Sequence, residues 1–198
     1  MGRKGKDKNG GPLHFAVLIP HRDCRRLLRS WSGELFAAGY WGAWSFPQAA
    51  PLALLSAPLA EEELRELARN LRRRSLEGGR DGMLRGGAPA VLSLDPPGIG
   101  PLKIYGPALE LRVEAGDFGA GEGKITALFP PLLGCALLEG PESGAPENRG
   151  GFAFRAAAVA NMRYRPLPAG DPAYSFSWKI GEPRWLPSCR PARRGGGG

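Results

Sequence analysis

The chain has 198 residues, 42% of them hydrophobic, with 30 glycines and 20 prolines, which suits one substantial domain or two small, closely joined ones and excludes a fibrous repeat. Its formal charge of +8 does not describe a basic face. Residues 1–11 hold Arg3, Lys4, Lys6 and Lys8 against Asp7, residues 190–198 hold Arg190, Arg193 and Arg194, and the span between them is close to balanced.

Residues 1–12 read as a flexible basic tail, rich in glycine and lysine. The apolar run that follows is too short and too polar for a secretory signal, and no stretch reaches the ~18 apolar residues of a membrane span. No membrane insertion and a cytoplasmic location are therefore expected. Leu13–Ile19 predicts a strand, ended by Pro20. Arg22–Ala38 predicts a helix: Cys24, Leu27, Leu28, Trp31 and Leu35 recur at helical spacing, Arg25, Arg26, Arg29 and Glu34 lie elsewhere, and Gly39 stops it. The aromatic group Tyr40, Trp41, Trp44 and Phe46 reads as packing or as a stacking platform. Leu52–Ser56 is a short strand between prolines.

Leu59–Ser75 predicts a second helix with Leu64, Leu67, Ala68 and Leu71 as its buried stripe. Glu61, Glu62 and Glu63 suit the positive helix start and Arg72, Arg73 and Arg74 the negative end, while Glu61 can pair with Arg65 one turn on. Gly78–Gly87 reads as a loop. The remainder reads as strands at Ala90–Leu94, Lys103–Val113, Lys124–Phe129, Leu132–Glu139, Phe152–Tyr164 and Tyr174–Ile180, with a helix as the alternative around Phe129–Leu138. Residues 140–151 and 165–172 read as loops that can shape a cleft. The organisation expected is an α+β domain over 13–188, two early amphipathic helices with a mainly antiparallel sheet, possible as two related lobes about a central cleft, followed by a flexible Arg/Gly-rich tail at 189–198.

Chemistry is sparse along this scaffold. The chain has two histidines, His14 and His21, and its three cysteines, Cys24, Cys135 and Cys189, stand far apart without a CxxC pair or a metal frame. Gly116–Ile125 is glycine-rich and holds Lys124, yet its glycine spacing is wrong for a phosphate loop and Ile125 stands where a hydroxyl residue is needed. A hairpin connection is expected there, with Glu114, Asp117 and Glu122 as solvated turn carboxylates. No GxSxG sequence occurs, so the hydrolase triad has no nucleophile motif. By strand parity Lys103 and Tyr105 share one side of their strand, and Arg155, Asn161, Arg163 and Arg165 share one side of theirs. Such a set of donors is either the wet face of a sheet or a grip for phosphate or carboxylate. Lys103, Tyr105, Arg155, Asn161 and Arg163 are the candidate ligand-binding residues.

The order of these elements resembles the 2H phosphoesterase family, with its RNA ligase/cyclic phosphodiesterase-like fold. The opening Leu13–Ala38, the strand Pro51-Leu52-Ala53-Leu54-Leu55 with the helix after it, the strand Ala158-Val159-Ala160-Asn161-Met162-Arg163 and the closing Tyr174–Leu186 carry the resemblance. It implies two related lobes about a cleft, each supplying a His-x-Thr/Ser motif from a strand. In this chain Pro51 and Ala53 occupy the first pair of positions and Ala158 and Ala160 the second, so both motifs are missing.

Three functions follow from these residues. The first is a noncatalytic binding or protein-interaction domain that retains recognition of a nucleotide or RNA end. The second is an atypical phosphoesterase acting on a phosphorylated small molecule or RNA end, with His14 as its acid–base group. The third is a structural protein with no small-molecule ligand. No catalytic residue, metal or cofactor is expected; the partner is a nucleotide, an RNA end or a protein.

Overall fold

Alternation of apolar residues against one another, with a polar residue entering only at His14, makes Leu13–Pro20 the first strand, β1. The computed structural model describes residues 12–39, 47–78, 84–94, 102–133, 136–137, 153–154, 157–166 and 176–185. After β1 come α1 (Arg22–Ala37), β2 (Ala50–Leu55), α2 (Glu61–Gly78), β3 (Leu84–Leu94) and β4 (Leu102–Leu109). A 3-10 segment (Ala115–Lys124) leads to β5 (Ile125–Leu128), β6 (Ala136–Leu137), β7 (Ala153–Phe154), β8 (Ala157–Pro166), β9 (Phe176–Ile180) and β10 (Arg184–Trp185).

The strands form two antiparallel sheets. In the larger, β1 lies between β2 and β8, β5 extends it beyond β2, and β9 and β10 both pair with the far side of β8. The smaller runs β6-β4-β3-β7. Along β1 both faces of the larger sheet are buried from Phe15 to Pro20, which explains why this strand is apolar almost throughout. Ala16 and Leu18 join Val159 in a cluster with Leu28, Trp31 and Leu35 of α1 and Leu64, Leu67, Ala68 and Leu71 of α2. Phe15, Val17 and Ile19 join Ala158, Ala160, Met162 and Tyr164 in a second cluster that includes Leu92 and Ile104 of the smaller sheet, with Phe129 and Leu132. The period of two along each strand thus sorts its residues between a helix-side core and an inter-sheet core.

The helices lie close to their expected bounds, and Arg25, Arg26, Arg29 and Glu34 are exposed as anticipated. Five expectations are corrected. Residues 116–124 do not form a hairpin turn: the 3-10 segment carries the chain from β4 in one sheet to β5 in the other. The strand expected over Lys103–Val113 ends at Leu109, and the one expected over Phe152–Tyr164 is two strands, β7 and β8. β3 begins at Leu84, inside the expected Gly78–Gly87 loop. Finally, α2 continues to Gly78, so Arg72–Arg74 precede its last turn, and Arg74 reaches the 3-10 segment instead of serving the helix dipole. The described part of 129–138 is not helical: Leu132 makes an isolated bridge to Ala108 and residues 136–137 form β6.

Two polar joints hold α2 in place. Arg74 donates from Nε to Asp117 Oδ1 at 2.6 Å and from a terminal nitrogen to Glu114, while the Glu114 amide donates to Asp117 Oδ2 at 2.8 Å. Asp117 is only 2% exposed, so its charge needs this pairing. Closer to the helix start, Lys124 pairs with Glu63 at 2.6 Å. Gly119 has φ +54°, a backbone shape that favours glycine, and a Cβ there would lie 2.0 Å from the Glu66 carboxyl, which would have to move.

Among the described residues no helix is long and apolar enough to cross a membrane. The two tails, the Tyr40–Phe46 aromatic group, Arg155, Cys135, Cys189 and the loop residues 140–151 and 167–172 lie outside the described residues.

Candidate functional site

Strand β8 carries two of the candidate residues, Asn161 and Arg163, with Arg165 beside them. Its register with β1 sets Tyr164 opposite Leu13, Arg163 opposite His14, Met162 opposite Phe15, Asn161 opposite Ala16 and Val159 opposite Leu18. Because Ala16, Leu18 and Val159 belong to the helix-side core, Asn161, Arg163 and Arg165 project from that same face. The parity expected from the sequence is therefore correct for these three.

Their surroundings differ along the strand. Asn161 lies under the start of α2, where its Oδ1 accepts from the Leu59 amide at 2.9 Å and its Nδ2 donates to the Leu59 carbonyl at 2.6 Å. One side-chain amide thus joins segments 102 residues apart. Two residues on, the helices no longer cover the sheet: Arg163 and Arg165 are both exposed.

Pairing with β9 extends this open part of the face. Lys179 lies directly opposite Arg163 and Ser177 opposite Arg165. Arg163, Arg165 and Lys179 make no ion pair among the described residues, whereas nearby acids are committed: Glu61 to Arg65 and Arg184, and Glu182 to Arg184. Like charges directly across a strand pair are destabilising, and among the described residues no acid compensates Arg163 and Lys179. His14 completes the group from β1, and burial, with the Arg163 charge added, lowers its pKa below the ordinary histidine value. Near neutral pH the imidazole is therefore held neutral.

The other candidates stand elsewhere. Lys103 is exposed on β4, opposite Ser93, in the smaller sheet. Tyr105 shares its strand but is buried, its ring 5.5 Å from that of Trp31. The structure therefore brings Asn161 and Arg163 together on one strand face and leaves Lys103 and Tyr105 on the second sheet.

The four positions matched to the two motifs are all buried. Ala158 and Ala160 have no exposure and sit in the inter-sheet core among Phe15, Val17, Met162 and Tyr164. Ala53 belongs to the helix-side core, and a bulge between Ala16 and Val17 sets Pro51 opposite Val17. Pro51 and Ala53 thus attach to opposite faces of β2, which a strand without a bulge would not allow. Burial pushes the pKa of the Tyr164 phenol up, keeping it protonated. Among the described residues no three His, Cys, Asp or Glu side chains are grouped to hold a metal ion; of the acids in the glycine-rich stretch, Glu114 and Asp117 are both bound to Arg74.

Strand parity in the sequence identifies two of the three cations, Arg163 and Arg165, and not Lys179. His14 attracted attention as an isolated acid–base residue, and Lys179 attracted none. Alternation tells which residues of one strand share a side; it does not tell which strand lies alongside. Without the register of β8 against β1 and β9, His14, Arg163 and Lys179 cannot be seen as neighbours.

No family model matches the chain, and no curated protein sequence matches it significantly. Among solved structures, it is similar to the crystal structure of TT0787 of Thermus thermophilus, at 14% identity and a TM-score of 0.51, over 90% of this chain and 100% of that one. It also aligns with E. coli LigT in apo form, at 13% identity and a TM-score of 0.36, over 89% of this chain and 98% of that one. The first likeness establishes the fold alone: an α+β architecture with two early helices and antiparallel sheets, as expected from the sequence.

Proposed function

We propose that this chain is a noncatalytic binding domain that recognises a phosphate-bearing nucleotide or RNA end. The observation that carries this reading is the state of Ala158 and Ala160. Both stand where the family resemblance implies a catalytic histidine and a hydroxyl residue, and both are sealed in an apolar core with no exposure. Neither methyl group can move a proton or donate to a phosphoryl oxygen, and Pro51 and Ala53 at the other pair are equally inert. His14 stands on the helix side of the same sheet, away from that core, and has no second histidine among its cross-strand neighbours Leu55 and Arg163. The exposed basic group Arg163 supplies what phosphate recognition requires without supplying an acid–base pair, and Lys103 offers a second cation on the smaller sheet. In this reading Asn161 acts indirectly, by fixing the start of α2 against β8, and Tyr105 by its packing against Trp31.

The test is turnover and binding measured on the same preparation. Incubation with a cyclic nucleotide phosphate or a short RNA should give no product above buffer, while mononucleotides or short RNAs should raise the thermal midpoint. Turnover that disappears in a folded His14→Ala variant would replace this reading with the atypical phosphoesterase. Absence of any nucleotide or RNA binding would leave a structural or protein-binding domain.

A further inference from the structure

We infer that the exposed end of the β8–β9 pair is a binding surface for single-stranded nucleic acid, with phosphates on Arg163, Lys179 and Arg165 and a base stacked on Trp178. This deepens the binding reading given above and rests on it, by placing the ligand on the outer rim of the larger sheet instead of between the two sheets.

Three observations converge. First, three cations are gathered with no acid paired to them among the described residues. Arg163 and Lys179 are cross-strand partners, about 5 Å apart at Cβ by strand geometry, and Arg165 lies two residues along from Arg163, about 6.7 Å away. That spacing accommodates neighbouring phosphates of one extended strand. All three are exposed and without an ion pair among the described residues, while the acids at the start of α2 and beyond β9 already hold Arg65, Arg184 and Lys124. An anion would relieve the repulsion that folding leaves between Arg163 and Lys179.

Second, an aromatic residue stands beside the charges. Trp178, adjacent to Lys179, is 44% exposed although its cross-strand neighbour Tyr164 is fully buried. The indole projects from the opposite face of the same outer strand, so a nucleic-acid strand that wraps around the edge of β9 meets the cations on one face and a flat apolar ring on the other. Charge and stacking together favour a nucleotide chain over a free anion.

Third, among the described residues nothing pairs with the outer edge of this surface. β9 is an outer strand, paired only with β8 among the described residues, and the helix-side cover ends at Asn161. Nothing in this arrangement reads base edges through a fixed set of partners, so the recognition is of phosphate spacing and stacking, tolerant of sequence.

The experiment is a salt series of binding to a fluorescent oligouridylate, using the full chain. Each of Arg163→Ala, Arg165→Ala and Lys179→Ala should flatten the dependence of log affinity on log salt by about 0.7, the contribution of one single-strand phosphate contact. Together the three should remove a factor of about twenty in the affinity change between about 50 and about 200 mM salt. Trp178→Ala should weaken binding about tenfold, and Trp178→Phe should restore most of it. Unchanged thermal midpoints identify these as surface effects. Paired Arg193→Ala and Arg194→Ala substitutions report the tail contribution. If they abolish binding while the sheet variants bind as the parent does, the surface assignment is overturned and the binding reading stands. If inorganic phosphate competes at the affinity of the oligonucleotide and Trp178→Ala has no effect, the site takes a simple anion and the strand assignment is overturned. If the parent binds no oligonucleotide or nucleotide at all, both readings fall.

Discussion

Replacing Asn161 by alanine tests whether this side chain joins the fold together or serves the ligand. In the structure its amide closes two hydrogen bonds on the backbone of Leu59, at 2.9 Å from the Leu59 nitrogen and 2.6 Å to the Leu59 oxygen, and Leu59 is itself buried. Each bond is worth about 1 kcal/mol net, and a partly buried amide and carbonyl left unpaired add about 1 kcal/mol more, so Asn161→Ala should destabilise by about 2–3 kcal/mol. For a domain of this size that lowers the thermal midpoint by about 4–12 °C. The measurement is thermal unfolding followed by circular dichroism, with urea unfolding to check that the slope stays constant while the midpoint falls. Asn161→Asp keeps the acceptor for the Leu59 amide but opposes the Leu59 carbonyl with a carboxylate oxygen, so it should not recover the parent's stability. A midpoint shift below about 1 °C in Asn161→Ala, combined with weakened nucleotide binding, would refute the structural role and return the residue to the ligand site.

The remaining predictions concern the core, the 3-10 segment and pH. Installing histidine at position 158 and threonine at 160 should create no phosphodiesterase activity and should destabilise by about 3 kcal/mol or more, because both side chains enter a closed apolar core; calorimetry and a cyclic phosphate assay check the two halves. Gly119→Ala should lower stability by about 1–3 kcal/mol, measured by urea midpoint, since φ is +54° there and the Glu66 carboxyl must also move. Asp117→Ala removes the bonds to Arg74 and to the Glu114 amide and should destabilise by about 2–3 kcal/mol; recovery in Asp117→Asn should be partial, because the charge facing Arg74 is lost. His14 titrates below its unfolded value, so the unfolded chain takes up a proton first as pH falls through about 6.5. Its contribution is present above that pH and declines toward the lower folded pKa. Thermal midpoints compared between about pH 7.5 and about pH 5.5 should therefore fall less in His14→Gln than in the parent.

The sequence conveyed local periodicity well and pairing poorly, and particular residues show why. Leu64, Leu67, Ala68 and Leu71 recur at helical spacing and are buried together. Asn161, Arg163 and Arg165 share parity and share a face. In contrast, residues 115–124 fold around Arg74 and Asn70 of α2, partners more than forty positions earlier, so the glycines signalled a turn without specifying what the turn packs on. The split of residues 152–164 into β7 and β8 has the same origin, since β7 pairs with β3 and β8 with β1. Trp178 escaped notice because its exposure depends on β9 lying outermost, a property of the sheet and not of the local run.

The position of β1 also has a consequence for how the polypeptide reaches this fold. Its partner β8 lies more than 130 residues downstream, and the pair is formed along all eight residues from Leu13 to Pro20. Such a closure raises contact order and slows folding, since chain entropy is lost long before the pairing stabilises anything. During vectorial synthesis, α1, β2 and α2 are complete while one edge of an almost wholly apolar strand still waits for its neighbour. Nascent chains that stop before Ala157 should therefore depend on chaperones and aggregate on release, whereas chains extended through Pro166 should become soluble and protease-resistant in one step.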